Sequence, residues 1–270
     1  MPIARIAHSG GVGYARPTPE GYALLAGSPD ASGLRHAAST GPFVPTAAAR
    51  LLSPAAPRTV VGMAHNTGLA DRALPPQAFL KPVTTVTGPG APIPVPAGAG
   101  LVEAEAELAV VIGRTARRLT LGNALDHVLG VTVANDVTSR DLQRTDPLWF
   151  AAKGQDGWTP LGPWLVTPEE LAAAGLDVDD LELRLSVDGV TLPPARTAGL
   201  ARSVAECLVY VTSVLTLRPG DVLLTGAPGA TGQIAAGCTV TASIVGIGDL
   251  HNPVIAATSA SPEADEEAVA

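Results

Sequence analysis

Apolar residues in this chain come in short valine- and leucine-rich runs, and glycine and proline, 29 and 25 residues, fall between them. Such punctuation predicts many short strands joined by turns. "LELRLSVDGVTL" is the cleanest strand: Leu181, Leu183, Leu185 and Val187 alternate, and Asp188-Gly189 then supplies the dipeptide of a tight hairpin turn. "LRPGDVLLTGAPGATG" repeats the theme as a turn, a short strand and a glycine-rich loop. In "TLGNALDHVLGV" and "RSVAECLVYVTSVLTL" apolar residues recur at three- and four-residue spacing, which predicts two or three helices against the sheets. Residues 1 to about 50 read as short strands and turns, and "LLSPAAP", Leu51 to Pro57, as a linker. The expected organisation is a β-rich α+β chain. It has a small N-terminal β domain over residues 1–52, a main domain over 53–255 and a disordered tail over 256–270. The tail, "ATSASPEADEEAVA", is acidic and lacks large apolar residues, so it cannot offset its ordering entropy.

Composition narrows the class. With 270 residues, 46% hydrophobic and 16% charged, the chain can bury a sizeable core. Its net charge of -8 gives no electrostatic footprint for nucleic acid or an anionic membrane. Two cysteines, Cys207 and Cys238, do not make a disulfide framework and read as small apolar residues of an intracellular protein. The N-terminus lacks the apolar stretch of a signal peptide, and no apolar run reaches the roughly 18 to 20 residues that span a bilayer. A soluble, cytoplasmic protein is expected.

One segment breaks the apolar rule. In "VEAEAELAVVIG" Glu103, Glu105 and Glu107 alternate with small apolar residues and run into what reads as a buried strand. Side chains two apart on a strand share a face, and like charges so placed repel. Either water screens them on a solvated face or a divalent cation sits among them. Spacing alone favours the solvated face, because charge runs are usually exposed.

Downstream, "NDVTSRDLQ" follows an apolar strand, and "KGQDGWTPLGP" and "GDVLLTGAPGATG" come after it in that order. With "EAELAVVIG" before them and "VGIGDLHNPV" after, these motifs make the chain resemble the fumarylacetoacetate hydrolase family over about residues 1 to 255. The resemblance implies a mixed β-sandwich and β-roll fold, a homodimer, and a metal held by Glu105, Glu107 and Asp136, with Glu103 outside the ligand set. Three hard carboxylate oxygens suit Mg²⁺, with Mn²⁺ or Ca²⁺ as alternatives. Arg140 and Gln143 match positions that face a small oxo-acid substrate, and Lys153 matches the family's active-site lysine with Asp156 as its orienting partner. Lys81 matches a lysine near the pocket. Thr225 and Gly226 open a loop, Thr225 to Gly229, that would line the site with backbone donors. The plainer alternatives are surface, capping or turn roles.

The resemblance fails at one place. Where the family reads Gly-x-Asn-Tyr-x-x-His-x-x-Glu, this chain has "GMAHNTGLADRALPP". Aligned on Gly62 and Asn66, with a one-residue adjustment, Thr67, Ala70 and Ala73 stand at the tyrosine, histidine and glutamate. The water-activating pair is missing; His65 and Asp71 are the substitutes in reach, against structural and solvated roles. Ala227 also replaces a usual threonine. The implied function is a divalent-metal-dependent enzyme acting on a small β-diketo or 2-oxo acid through an enolate. Carbon–carbon hydrolysis, decarboxylation, tautomerisation or isomerisation, and dehydration are the outcomes within that chemistry. The alternative is a relative that binds metal and acid with lost or altered catalysis.

Overall fold

The strand Val102–Ile112 is the axis of the fold, and its sequence explains why. From Ala104 onward every residue is buried, so it sits in the middle of a sheet covered on both faces. Leu108, Val110 and Ile112 enter a large core that includes Leu208 and Val211, while Ala109 and Val111 enter a second core with Val60, Leu161, Leu165, Val222 and Leu224. The computed structural model describes residues 2–26, 34 and 37–257.

Around this strand a nine-stranded sheet forms. Its path runs Gln77–Lys81, Val60–Ala64, Val222–Leu224, Val102–Ile112, Val128–Asn135, Thr159–Val166 and Val86–Thr87, and Thr138–Ser139 and Thr231–Ile234 pair with the N-terminal half of the axial strand. A six-stranded sheet packs against it through Leu183, Leu185, Val240, Ala242, Ile244, Leu250 and Val254, which share the large core. The hairpin at Asp188-Gly189 lies here: Val187 pairs with Val190, and both turn residues have positive φ, 50° and 78°, as a primed turn requires. The first strands make a separate five-stranded antiparallel sheet between Ala4 and Leu51 with its own small core of Ala4, Ile6, Ala15, Tyr22 and Val44. Ile3 ties it to the main sheet by paired backbone bonds with Leu165, each 2.8 Å.

Of the two helices expected from spacing, one forms. Val204–Val214 starts at a capping box of Ser203 and Glu206 and buries Val204, Cys207, Leu208 and Val211 along one stripe. The stretch "TLGNALDHVLGV" does not become a helix. It makes one 3-10 turn, Leu125–His127, and then the strand Val128–Asn135, buried throughout. Only Val128–Val131 of the stretch enter that buried strand, while Leu121 and Leu125 before it are exposed; Gly130 shows the strand's constraint, since a Cβ there would lie 2.9 Å from the Val166 carbonyl oxygen. The expected tail falls almost wholly outside the described residues; Ala256 ends the strand Gly248–Ala256. No helix among the described residues is long and apolar enough to cross a membrane.

Candidate metal centre and active site

Glu105 and Glu107 lie on the axial strand, and Asp136 follows directly after its antiparallel neighbour. The register pairs Ala106 with Asn135, and the Asp136 N–H donates to the Glu105 carbonyl at 3.0 Å. This pairing brings one oxygen from each of the three carboxylates within 4.8 Å of the others. All three are buried, with 6%, 3% and 1% of their surface exposed, so the solvated-face explanation fails for Glu105 and Glu107.

Cations compensate most of this charge. Lys153 Nζ donates to Glu105 Oε2 at 3.0 Å, to Thr138 Oγ1 at 2.7 Å and to Asp136 Oδ2. Lys81 Nζ donates to Asp136 Oδ1 and, at 3.0 Å, to the Trp158 carbonyl. Arg140 spreads its fork over Glu103 at 2.8 Å, the Gln143 side-chain oxygen at 2.9 Å, and Glu105. Burial opposes charge on Lys153, but Asp136, Glu105 and Glu107 outweigh it and hold the ammonium above the ordinary lysine range. For Lys81 burial wins, only partly offset by Asp136, and its value falls. Asp136 would be pushed up by burial, yet Lys153 and Lys81 hold it low.

Glu107 is different. Its carboxylate accepts the Gly226 N–H at 2.7 Å, and no ammonium or guanidinium among the described residues bonds to it. Burial, then Asp136 and Glu105, push it well above the usual carboxylate range. A buried carboxylate in this position either keeps a proton or needs a positive partner. Three hard oxygen donors with one uncompensated charge fit a divalent cation of the Mg²⁺, Mn²⁺ or Ca²⁺ type.

The remaining expected site residues divide. Lys81, Arg140, Gln143 and Lys153 gather at the carboxylates; the surface reading of Lys81 is wrong, since it is 3% exposed. Asp156 does not orient Lys153: it is exposed at the far end of the loop, and Lys153 is held by the acids and Thr138 instead. Thr225 offers no donor to a ligand, because its N–H and hydroxyl both go to the Leu108 carbonyl, at 3.1 and 2.9 Å. Gly226 supports Glu107. Thr138, inside the "NDVTSRDLQ" motif, went unremarked in the sequence, although a hydroxyl two residues after Asp136 could have been noticed.

In the segment "GMAHNTGLADRALPP", Leu69–Ala73 forms a 3-10 helix with Ala70 and Ala73 exposed. Asp71 is no free base; it accepts both the N–H and the hydroxyl of Thr67 at 2.9 Å, bonds that hold it below the ordinary aspartate value. His65 is half-buried with φ 51°, its ring 5.8 Å from that of Trp149. The structure gives His65 no bond to the carboxylates. Asn66 fixes the segment, donating to the Thr225 carbonyl at 2.7 Å and accepting the Arg202 N–H at 2.7 Å.

The chain is similar to known proteins in sequence and fold. The family model described as fumarylacetoacetate (FAA) hydrolase C-terminal matches residues 54–255. The crystal structure of 5-carboxymethyl-2-hydroxymuconate delta-isomerase from Mycobacterium smegmatis superposes with a TM-score of 0.85 at 38% identity, covering 95% of this chain and 100% of that one. The oxaloacetate tautomerase FAHD1, mitochondrial, of Arabidopsis thaliana is 37% identical over 65% of this chain and 78% of its own length. The 2,4-didehydro-3-deoxy-L-rhamnonate hydrolase of a Sphingomonas species is 34% identical over 64% of this chain and 61% of its own. These relatives are an isomerase, a tautomerase and a hydrolase by name. The β-rich fold, the ordered motifs and these matches together place the chain in the fumarylacetoacetate hydrolase family of enzymes.

Proposed function

We propose that this protein is a divalent-metal-dependent enzyme acting on a small β-diketo or 2-oxo acid, with Glu105, Glu107 and Asp136 as the metal ligands. The observation that carries the reading is Glu107, a buried carboxylate with two acidic neighbours and no cation bonded to it. Four carboxylates, counting Glu103, face the three cations Lys81, Lys153 and Arg140, which leaves one negative charge. Held by Glu105, Glu107 and Asp136, a dication would supply Lewis-acid stabilisation of negative charge on the substrate. It would also turn the excess positive, a field suited to an anionic substrate. The residues themselves then divide the work. Arg140 presents a planar fork, positioned by Glu103 and Gln143, for the substrate's carboxylate. Lys153, kept charged by its surroundings, stabilises negative charge developing on an oxygen. Lys81 and Gly226 hold Asp136 and Glu107 in place.

The exposed Ala70 and Ala73 support a preference among reactions. Hydrolysis of a carbon–carbon bond needs an activated water, and the pair that supplies it elsewhere in the family is absent from this segment. Tautomerisation, isomerisation, decarboxylation or dehydration asks only for enolate stabilisation and a proton donor, so these outcomes are favoured. The same absence supports a second reading, a relative that binds metal and acid with lost or altered catalysis. The family resemblance supports a homodimer with either.

A thermal melt with Mg²⁺ or Mn²⁺, with and without oxalate as an enolate mimic, tests both. Ligand at about 100 times its Kd stabilises by about 2.7 kcal/mol, which for a chain of this size raises Tm by roughly 5–10 °C. No shift with either metal overturns both readings. Loss of enol absorbance across a panel of acylpyruvates and oxaloacetate separates them: turnover supports the enzyme, and silence with metal bound supports the binder.

A further inference from the structure

A cavity of about 850 Å³, open to solvent along the exposed Leu80, Leu148, Phe150 and Val214, is lined by Phe79 and Trp149. Two elements run from its wall to the acids. The strand Gln77–Lys81 puts Phe79 in the cavity wall and Lys81 on Asp136; the helix Phe150–Lys153 begins at the cavity and ends in Lys153. Phe79 is the shared boundary, since its ring also lies 5.0 Å from Lys153 Nζ. Gly62 makes room for that ring: a Cβ there would meet Phe79 Cζ at 2.2 Å.

The wall is built at some conformational cost. Trp149 packs edge-on against Phe79 at 5.5 Å and meets His65 at 5.8 Å. Both Trp149 and His65 have left-handed backbones, φ 59° and 51°, which side-chain-bearing residues rarely adopt. Two such residues meet at this one aromatic wall. None of the lining residues is Asp, Glu, Lys or Arg, and aliphatic Leu148 and Val211 complete the wall.

Resting on the proposed metal and oxo-acid reading, we propose that the substrate carries an alkyl or aryl group on the end remote from its acid, and that this cavity receives it. Of the lining side chains only the half-buried His65 can carry positive charge, so a second carboxylate would sit among mostly apolar groups at a desolvation cost. An apolar group gains in proportion to the area removed from water. The substrate class is thus a monocarboxylic 2-oxo or 2,4-dioxo acid with a bulky apolar terminus.

Three 2,4-dioxo acids that differ only at the far end, in methyl, phenyl or a carboxyl-bearing group, test this by Mg²⁺-dependent thermal shifts converted to apparent Kd, with oxalate as reference. The phenyl acid binds at least about tenfold tighter than the methyl acid, and the carboxyl-bearing acid binds no tighter than the methyl one. Trp149→Ala, or Phe79→Leu, which keeps an apolar side chain over Gly62, brings the phenyl-to-methyl ratio toward one. A normal oxalate response with no phenyl preference in the wild type overturns the subsite alone, as it would if a second copy of the chain covered Leu148 and Phe150. A preference that survives both substitutions also overturns it. Absence of any oxalate response overturns the metal reading and the subsite with it.

Discussion

Glu103, Glu105 and Glu107 share one strand face, yet each meets a different environment. Glu103 stays half-buried against Arg140, Glu105 is shared by Arg140 and Lys153, and among the described residues Glu107 has only the Gly226 N–H. Alternation revealed the shared face, but not the burial, because the covering Lys81 and Lys153 come from segments 22 or more residues away. Only the ordered motifs linked them. Removing one cation should expose that dependence: Lys153→Met leaves Asp136 and Glu105 short of charge in a buried site, and should cost about 3–5 kcal/mol in urea unfolding. A cost below about 1 kcal/mol, the value of an exposed pair, would contradict the geometry. Cys207 gives a second check at this scale. Burial pushes its thiol from the ordinary 9.0 up to about 12. The folded state therefore holds its proton more tightly, and this contribution to stability is present below pH 9 and lost as pH rises toward 12. A thiol reagent at pH 8 should leave Cys207 unmodified until urea unfolds the chain; labelling in the folded state would contradict its burial.

The segment from His65 to Leu74 is held from outside rather than by its own short 3-10 helix. Arg202 donates to the carbonyls of His65 and Leu74, one at each end, and Arg72 reaches back to Ala201 and Glu206. Arg202→Ala should raise amide hydrogen exchange across residues 65–76 while the axial strand stays protected; unchanged exchange would show that the clamp is idle. The clamp should also survive mild acid. Arg72 holds Glu206 down to about 2, so its contribution is present above the ordinary 4.5 and lost only as pH falls toward about 2. Gly226 is the other joint. Its φ of 103° and the Asn66 carbonyl oxygen 2.3 Å from any added Cβ exclude a side chain. Gly226→Ala should cost roughly 1–3 kcal/mol of stability and loosen the N–H bond to Glu107. Three- and four-residue apolar spacing announces the helix Val204–Val214, and Asp188-Gly189 the hairpin, through local pattern and chemistry. "TLGNALDHVLGV" misled because its spacing joins the exposed Leu121 and Leu125 to the start of a strand buried on both faces, where no period separates strand from helix.

Across the whole molecule, net charge and site charge tell different stories. The chain carries -8 overall, yet three of its 17 Lys and Arg residues converge on one acidic centre, and only the fold reveals that balance. The β-rich class was legible from short valine-rich runs and turn residues, and the family from motif order. Asp156 was misplaced because its loop turns it outward, something adjacency in sequence does not encode. The account rests on a divalent cation held by Glu105, Glu107 and Asp136. Calorimetric titration of Mn²⁺ into the wild type and Glu107→Gln tests it most directly. One ion per chain should bind the wild type, and Glu107→Gln, which keeps the shape but removes the uncompensated charge, should weaken binding at least about tenfold, consistent with one lost charged ligand. Equal affinity in the two proteins, or no heat from the wild type at millimolar Mn²⁺, would contradict it.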